Sequence, residues 1–265
     1  MATMRQMDLS HRDEAILTDL YFTRILSTQQ IATKYFKTYN SAKARLAELA
    51  DDMWIIRRNP YTGTTIWLLT RPAFVREVEG LRRYGECYRD WPKAHSIPHF
   101  LDTNDVFIDI SEEMDGILGE RPNHDWMGES TAWNWKQEPL AREAFKDGEG
   151  KGVHQPDAEI AFDGNRYFLE RQTERARKTA KQIDDKINDD YRRYIRRQRR
   201  ENFEGEMEVL YACDKERDMR YADAAGARHG VEVITGKPDY IAEYIVGKAM
   251  EARSRRQEED HALND

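Results

Sequence analysis

The sequence predicts an α+β chain in two parts: three short helices closed by a β-hairpin, then a mixed α/β sheet. Two observations carry this expectation. Between Ile16 and Leu49 the apolar residues recur at helical spacing in three blocks, and two β-rich runs around a glycine turn follow at once. Beyond residue 100 the order becomes helix, three strands, helix, strand, helix, strand, which belongs to a mixed sheet.

The chain has 265 residues, 39% hydrophobic and 34% charged, which suits two modest domains. No apolar run approaches the roughly 20 residues that span a bilayer. The opening residues lack the apolar stretch of a signal peptide. Two cysteines are too few for a disulfide scaffold. A cytoplasmic protein without a membrane partner is therefore expected. Net charge is −7, which argues against indiscriminate coating of nucleic acid. The charge is unevenly spread: about +4 over residues 1–100, about −11 over 101–174, about +7 over 175–200 and about −7 thereafter.

Ser10 suits a helix N-cap, and Asp13 and Glu14 favour the positive end of the helix that follows. Ile16, Leu17, Leu20 and Tyr21 carry that helix to about Thr23. Ser27-Thr28 starts a second over Gln29–Phe36, with Ile31, Ala32 and Tyr35 on one face. Asn40 or Ser41 caps a third, Ser41–Asp51, with Ala42, Leu46 and Leu49 inward. Met53–Arg58 reads as a strand, Asn59–Thr64 as a turn and Thr65–Leu69 as the returning strand. A helix from near Pro72 closes this part.

Three helices and a hairpin in this order, with Ala44-Arg45-Leu46-Ala47-Glu48-Leu49 before the strands, resemble the winged helix-turn-helix superfamily. The resemblance implies that the third helix enters the major groove of double-stranded DNA while the hairpin reaches the backbone. Lys37, Thr38, Tyr39, Ser41, Lys43 and Arg45 are the expected groove-facing set, and Arg57, Arg58, Tyr61 and Thr62 the wing set. The competing reading is a winged helix used for protein contacts alone. One such unit reads only a short site, so a homodimer is a natural expectation.

The expected division is a DNA-binding domain over 1–84, a linker over 85–100, an α/β domain over 101–253 and a disordered tail over 254–265. In the second domain, Asp102–Leu118 carries Val106, Phe107, Ile110, Met114 and Ile117 at helical intervals. Asp125–Trp135 reads as a strand. Ala158–Phe162 and Arg166–Leu169 are strands joined by Asp163-Gly164-Asn165, a strong hairpin turn. A long polar helix over Glu174–Arg200, a strand Met207–Cys213, a helix Lys215–His229, a strand Val231–Thr235 and a helix Pro238–Arg253 complete it.

Pro156-Asp157 with Glu170-Arg171-Gln172, in this order of elements, resembles the restriction-endonuclease-like, or PD-(D/E)xK, fold. The hairpin sets Asp157 beside Glu170, and Gln172 shares a side with Glu170 because strand side chains alternate. The resemblance implies catalytic residues Asp157, Glu170 and Gln172, with Asp157 and Glu170 holding Mg²⁺ if the site is catalytic and no cofactor otherwise. Gln172 stands where such nucleases usually carry lysine. Glu129 is a further candidate ligand or a surface acid. The ordinary reading of these acids is that carboxylates at strand ends meet water.

Arg192, Arg193 and Arg196, with Tyr191 and Tyr194 interleaved, fit a phosphate-tracking helix, or equally a solvated helix end complementing its dipole. His95, His99, Cys87 and Cys213 lack the spacing of a zinc site. No phosphate-binding glycine loop and no serine or cysteine nucleophile with partners is recognisable.

Three stretches make the whole chain resemble the replication-relaxation family of plasmids, phages and conjugative elements: His99–Asp105, Gln155-Pro156-Asp157-Ala158, and Phe168–Glu174 followed by the helix of Lys186, Tyr191 and Tyr194. The sequence departs from that pattern at Gln172, where the family usually has an acid, and lacks a glycine before Thr173. The resemblance implies an accessory or initiator protein of a mobile element acting in DNA replication, relaxation or transfer, with duplex DNA and replication or transfer proteins as partners. The alternatives are a Mg²⁺-dependent DNA nuclease and a winged-helix transcription regulator.

Overall fold

The structure, a computed structural model, describes residues 9–61, 64–70, 96–118, 133–137, 156–174, 178–200 and 203–264. The chain divides into two units, 1–108 with 122–129, and 109–121 with 130–265. It is a mixed α+β protein with two sheets.

In the first unit, helix α1 (His11–Thr23) opens on a capping box in which Ser10 and Asp13 satisfy each other's backbone N–H. A two-residue strand β1 (Leu26–Ser27) follows, and Ser27 with Gln30 forms a second capping box for α2 (Thr28–Tyr35). Helix α3 (Tyr39–Asp51) is capped by Thr38, not by the expected Asn40 or Ser41. Strands β2 (Ile55–Tyr61) and β3 (Thr64–Leu69) form the hairpin, with Tyr61 opposite Thr64, so the turn is shorter than the predicted Asn59–Thr64. The sheet order is β1-β3-β2.

Its core is Ile16, Leu17, Leu20, Leu26, Ile31, Ala42, Leu46, Leu49, Trp54 and Trp67. The inward residues of all three helices are thus those the periodicity assigns. The buried Trp67 indole N–H donates to Thr28 Oγ1 at 2.9 Å, tying β3 to the first turn of α2. Helix α4 (Ile97–Leu118) begins five residues earlier than predicted, inside the expected linker. Its Ile97 and Phe100 are drawn into an apolar cluster with Ile25, Ile66 and Leu68. Its Asn104 amide donates to the carbonyls of Thr23, the last residue of α1, and of Ile25 just beyond the helix.

The second unit carries a five-stranded sheet, β4 (Asn134–Gln137), β5 (Ala158–Phe162), β6 (Asn165–Gln172), β7 (Met207–Cys213) and β8 (Val233–Gly236), in that spatial order. The first three pair antiparallel, and β6–β7 and β7–β8 are parallel. The β5–β6 turn holds Asp163 and Gly164 both at positive φ, 50° and 74°, the backbone a two-residue hairpin needs. Strand β4 falls at the end of the predicted 125–135 segment, and the rest of that segment up to 132 lies outside the described residues.

Between β6 and β7 runs α5 (Ala180–Asp185), a π-helical segment Lys186–Tyr191 and α6 (Arg192–Arg200). The long helix expected from Glu174 therefore starts six residues later, where Thr179 and Gln182 make a capping box. Helix α7 (Glu216–His229), ended by Gly230 at φ 65°, leads to β8. One sheet face, with Phe168, Val209, Tyr211 and Cys213, packs against Ile183, Ile187, Tyr191, Tyr194, Ala222 and Ala225.

The last helix, α8 (Pro238–Asn264), continues through the segment expected to be a disordered tail. Arg255 and Arg256 there both bind Asp163 of the β5–β6 turn, a partner the linear sequence does not reveal. Among the described residues no helix is long and apolar enough to cross a membrane. The predicted helix near Pro72, Cys87, His95 and Glu129 lie outside the described residues.

Candidate functional site

Two places collect chemistry-bearing side chains, one in each unit. In the second unit, the register Ala158↔Leu169 sets Asp157 opposite Glu170 across the antiparallel pair. Asp157 Oδ2 accepts from the Arg171 backbone N–H at 2.7 Å, which fixes the carboxylate at the strand end. Glu170 and Gln172 lie on one face, as alternation requires, and both are buried. The expected pairing of Asp157 with Glu170 is thus seen in the register.

Glu170 is fully enclosed. Its Oε1 accepts from the Tyr191 hydroxyl and its Oε2 from the Lys186 ammonium, with Lys178 Nζ 3.9 Å from Oε2. Lys186 and Tyr191 are the first and last residues of the π-helical segment. On an α-helix, residues five apart point about 140° from each other. The wider π turn, seen where the Arg192 N–H donates to the Ile187 carbonyl five residues back, brings both side chains onto one carboxylate.

Burial pushes the Glu170 carboxyl up, against the pull of Lys186, and pushes the Lys186 ammonium down, against the pull of Glu170 and Asp157. Burial also raises the Tyr191 phenol, with Glu170 adding to it. The trio holds together because both donors end on the one buried carboxylate. Gln172 Oε1 is buried with no hydrogen-bond partner among the described residues. Arg171 points elsewhere, binding the carbonyls of Gln172 and Ala212 and Asp214 Oδ1 at 2.6 Å.

In the first unit, α3 presents an exposed surface at its start. Lys37, Thr38, Tyr39, Asn40, Ser41 and Lys43 are exposed, while Ala42, Leu46 and Leu49 are buried. Arg57 and Arg58 are exposed on β2. Thr62 and the side chain of Tyr61 lie outside the described residues.

The family comparison covers both units. A protein-family model described as replication-relaxation matches residues 17–210. The chain belongs to that family. Comparison with curated proteins finds no match. Among solved structures, one similar chain is that of the restriction endonuclease FokI, at 10% identity and a TM-score of 0.29, covering 92% of this chain and 46% of that one. The chain thus spans under half of that enzyme's length.

In this replication-relaxation protein several predicted contact residues also bond within the chain. Arg45 is engaged inside its own unit: Nε and Nη2 donate to Asp13 Oδ1 and Oδ2 at 3.0 and 2.7 Å, and Nη1 to Glu48 at 2.6 Å. Thr38 Oγ1 accepts from the Ser41 N–H, and the Ser41 hydroxyl donates to the Thr38 carbonyl, so both also build the helix start. Tyr191 and Tyr194, read as interleaved with a phosphate-binding arginine run, sit in the core. Arg192 is half-buried and donates to Asn188, whereas Arg196 is exposed. The side chain of Arg193 lies outside the described residues.

Sequence reasoning placed Lys186 on the right helix but gave it no part in the carboxylate site. The signal was there: Lys186 stands three residues after Ile183 and beside Ile187, on the apolar side of an otherwise polar helix.

The donor set also decides whether Asp157 and Glu170 fit a magnesium ion. Mg²⁺ takes bare, hard oxygens and keeps several of its waters. Both Glu170 oxygens already accept from protein donors, and the group is closed to solvent. The arrangement does not fit the ion.

Proposed function

We propose that this member of the replication-relaxation family is a double-stranded DNA-binding protein of a mobile element, with an accessory or initiator role in replication, relaxation or transfer. On this reading the first unit is a winged helix and α3 its groove-entering helix. The second unit is a restriction-endonuclease-like domain that engages the same DNA, a replication or transfer protein, or a second copy of the chain.

The observation that carries the reading is the two-sidedness of α3: Ala42, Leu46 and Leu49 lock it to the core while Tyr39, Asn40 and Lys43 are exposed, with Lys37 exposed just before its cap. The helix order and the three-stranded β1-β3-β2 sheet support it, since a winged helix is built in that order. Arg57 and Arg58 on β2 supply further positive charge for phosphate. Lys37 and Lys43 serve as phosphate or base contacts, and Tyr39 as a flat apolar contact to base edges.

The test is titration of the full chain onto labelled duplexes at several salt concentrations, beside Lys37→Ala/Lys43→Ala. Losing two phosphate contacts lowers affinity and reduces the salt slope by about 2. Unchanged affinity and slope in the double variant would place the DNA surface elsewhere.

A further inference from the structure

We propose that the Lys186 ammonium is a built-in replacement for a metal ion: it occupies the carboxylate site as a fixed counter-ion, so that Asp157 and Glu170 take no divalent cation. The inference rests on the second unit alone and stands whether or not α3 binds DNA.

Three observations converge on Lys186. A buried carboxylate is sustained only by a cation or by strong donors. At Glu170 both are present, Lys186 on one oxygen and Tyr191 on the other. Lys186 is itself buried, 5% exposed in its side chain, and it feels the charges of both Glu170 and Asp157. The Lys186 ammonium is thus bound directly to Glu170, with Lys178 Nζ 3.9 Å from the same oxygen and Asp157 facing Glu170 across β5 and β6. The π-helical segment, the irregular stretch of this helix, is what delivers the two donors together. Gln172, on the same face, brings an amide and adds no negative charge toward an ion.

A lysine in that place differs from an ion in one respect that can be measured: it cannot be chelated or exchanged. The first experiment follows the free-Mn²⁺ electron paramagnetic resonance signal during titration with the full-length wild type and with Asp157→Asn. The two curves are expected to coincide, since neither exposes a divalent site at residue 157. A loss of free Mn²⁺ in the wild type that Asp157→Asn removes would overturn the proposal. Comparing the two chains cancels weak binding elsewhere on an acidic surface.

The second experiment uses Lys186→Met, which deletes the ammonium while keeping the length of the side chain. If it folds, its thermal midpoint is expected to rise by several degrees in millimolar Mg²⁺ or Mn²⁺ at matched ionic strength, because an ion that binds only the folded state stabilises it. Lys186→Met/Asp157→Asn is expected to lose that rise. A folded Lys186→Met indifferent to divalent ions would contradict the proposal. If Lys186→Met does not fold, the Mn²⁺ comparison decides alone.

Discussion

Asp13 serves two partners that the chain keeps far apart: it closes the capping box of α1 with Ser10 and receives both Nε and Nη2 of Arg45 from α3. Burial alone would raise its carboxyl, but the bonds from Arg45 and Ser10 outweigh that and hold it at about 2, below its ordinary 3.8. A carboxylate depressed on folding stabilises the native state above its unfolded value and loses that contribution as pH falls through the folded one. The predicted loss is about 2 kcal/mol between roughly pH 4 and pH 2. Urea unfolding across that window should show a step that Asp13→Asn lacks; identical pH profiles would remove the ion pair from the account. Arg45→Ala should lower stability and leave duplex affinity nearly unchanged in the folded protein, which separates a strut from a contact. Nothing in the local sequence distinguishes Arg45 from Lys43 as a DNA contact, because its partner lies 32 residues away. Tyr191→Phe leaves a buried carboxylate oxygen one donor short, which should cost about 1–3 kcal/mol in chemical denaturation. A neutral outcome would mean that the phenol does not hold Glu170.

At the scale of elements, what was legible in the sequence is what short-range rules govern. Ser10 and Ser27 announce α1 and α2 because each stands three residues before a side chain that returns the bond. The β5–β6 hairpin was legible from Asp163-Gly164, whose backbone tolerates positive φ. Strand β1 was not, since two residues carry no alternation and it exists only through its pairing with β3. The π-helical segment was equally hidden, for it answers to Glu170 on another element. The candidate site was half legible. The two facing acids followed from the strand register, but the Lys186 that binds Glu170 comes from a helix, 16 residues further along the chain. Close packing of α7 on β8 makes a further prediction. A Cβ at Gly226 would stand 2.6 Å from Val233 Cγ2 and 2.9 Å from the Val231 carbonyl oxygen. Gly226→Ala should therefore destabilise by about 1–3 kcal/mol in urea unfolding. An unperturbed midpoint would show that the helix lies farther from the strand.

For the whole molecule, charge and function point in different directions until they are separated by segment. The chain carries −7 overall, so long-range attraction to DNA is weak and the proposed binding rests on a local cationic surface. The α3 start and β2 supply one in the first unit. In the second, the buried Glu170 is already paired with Lys186, and the two charges cancel. Duplex binding should then survive EDTA, and an EDTA-sensitive affinity would reinstate a bound metal. The account stands or falls on whether the exposed turn of α3 reads DNA. Selecting bound duplexes from a random pool with the full-length chain, beside Lys37→Ala/Lys43→Ala, measures this most directly. Enrichment of a short shared motif by the wild type, lost or weakened in the double variant, is the predicted result. Recovery without any motif at low salt, or an equal motif from both proteins, would contradict it.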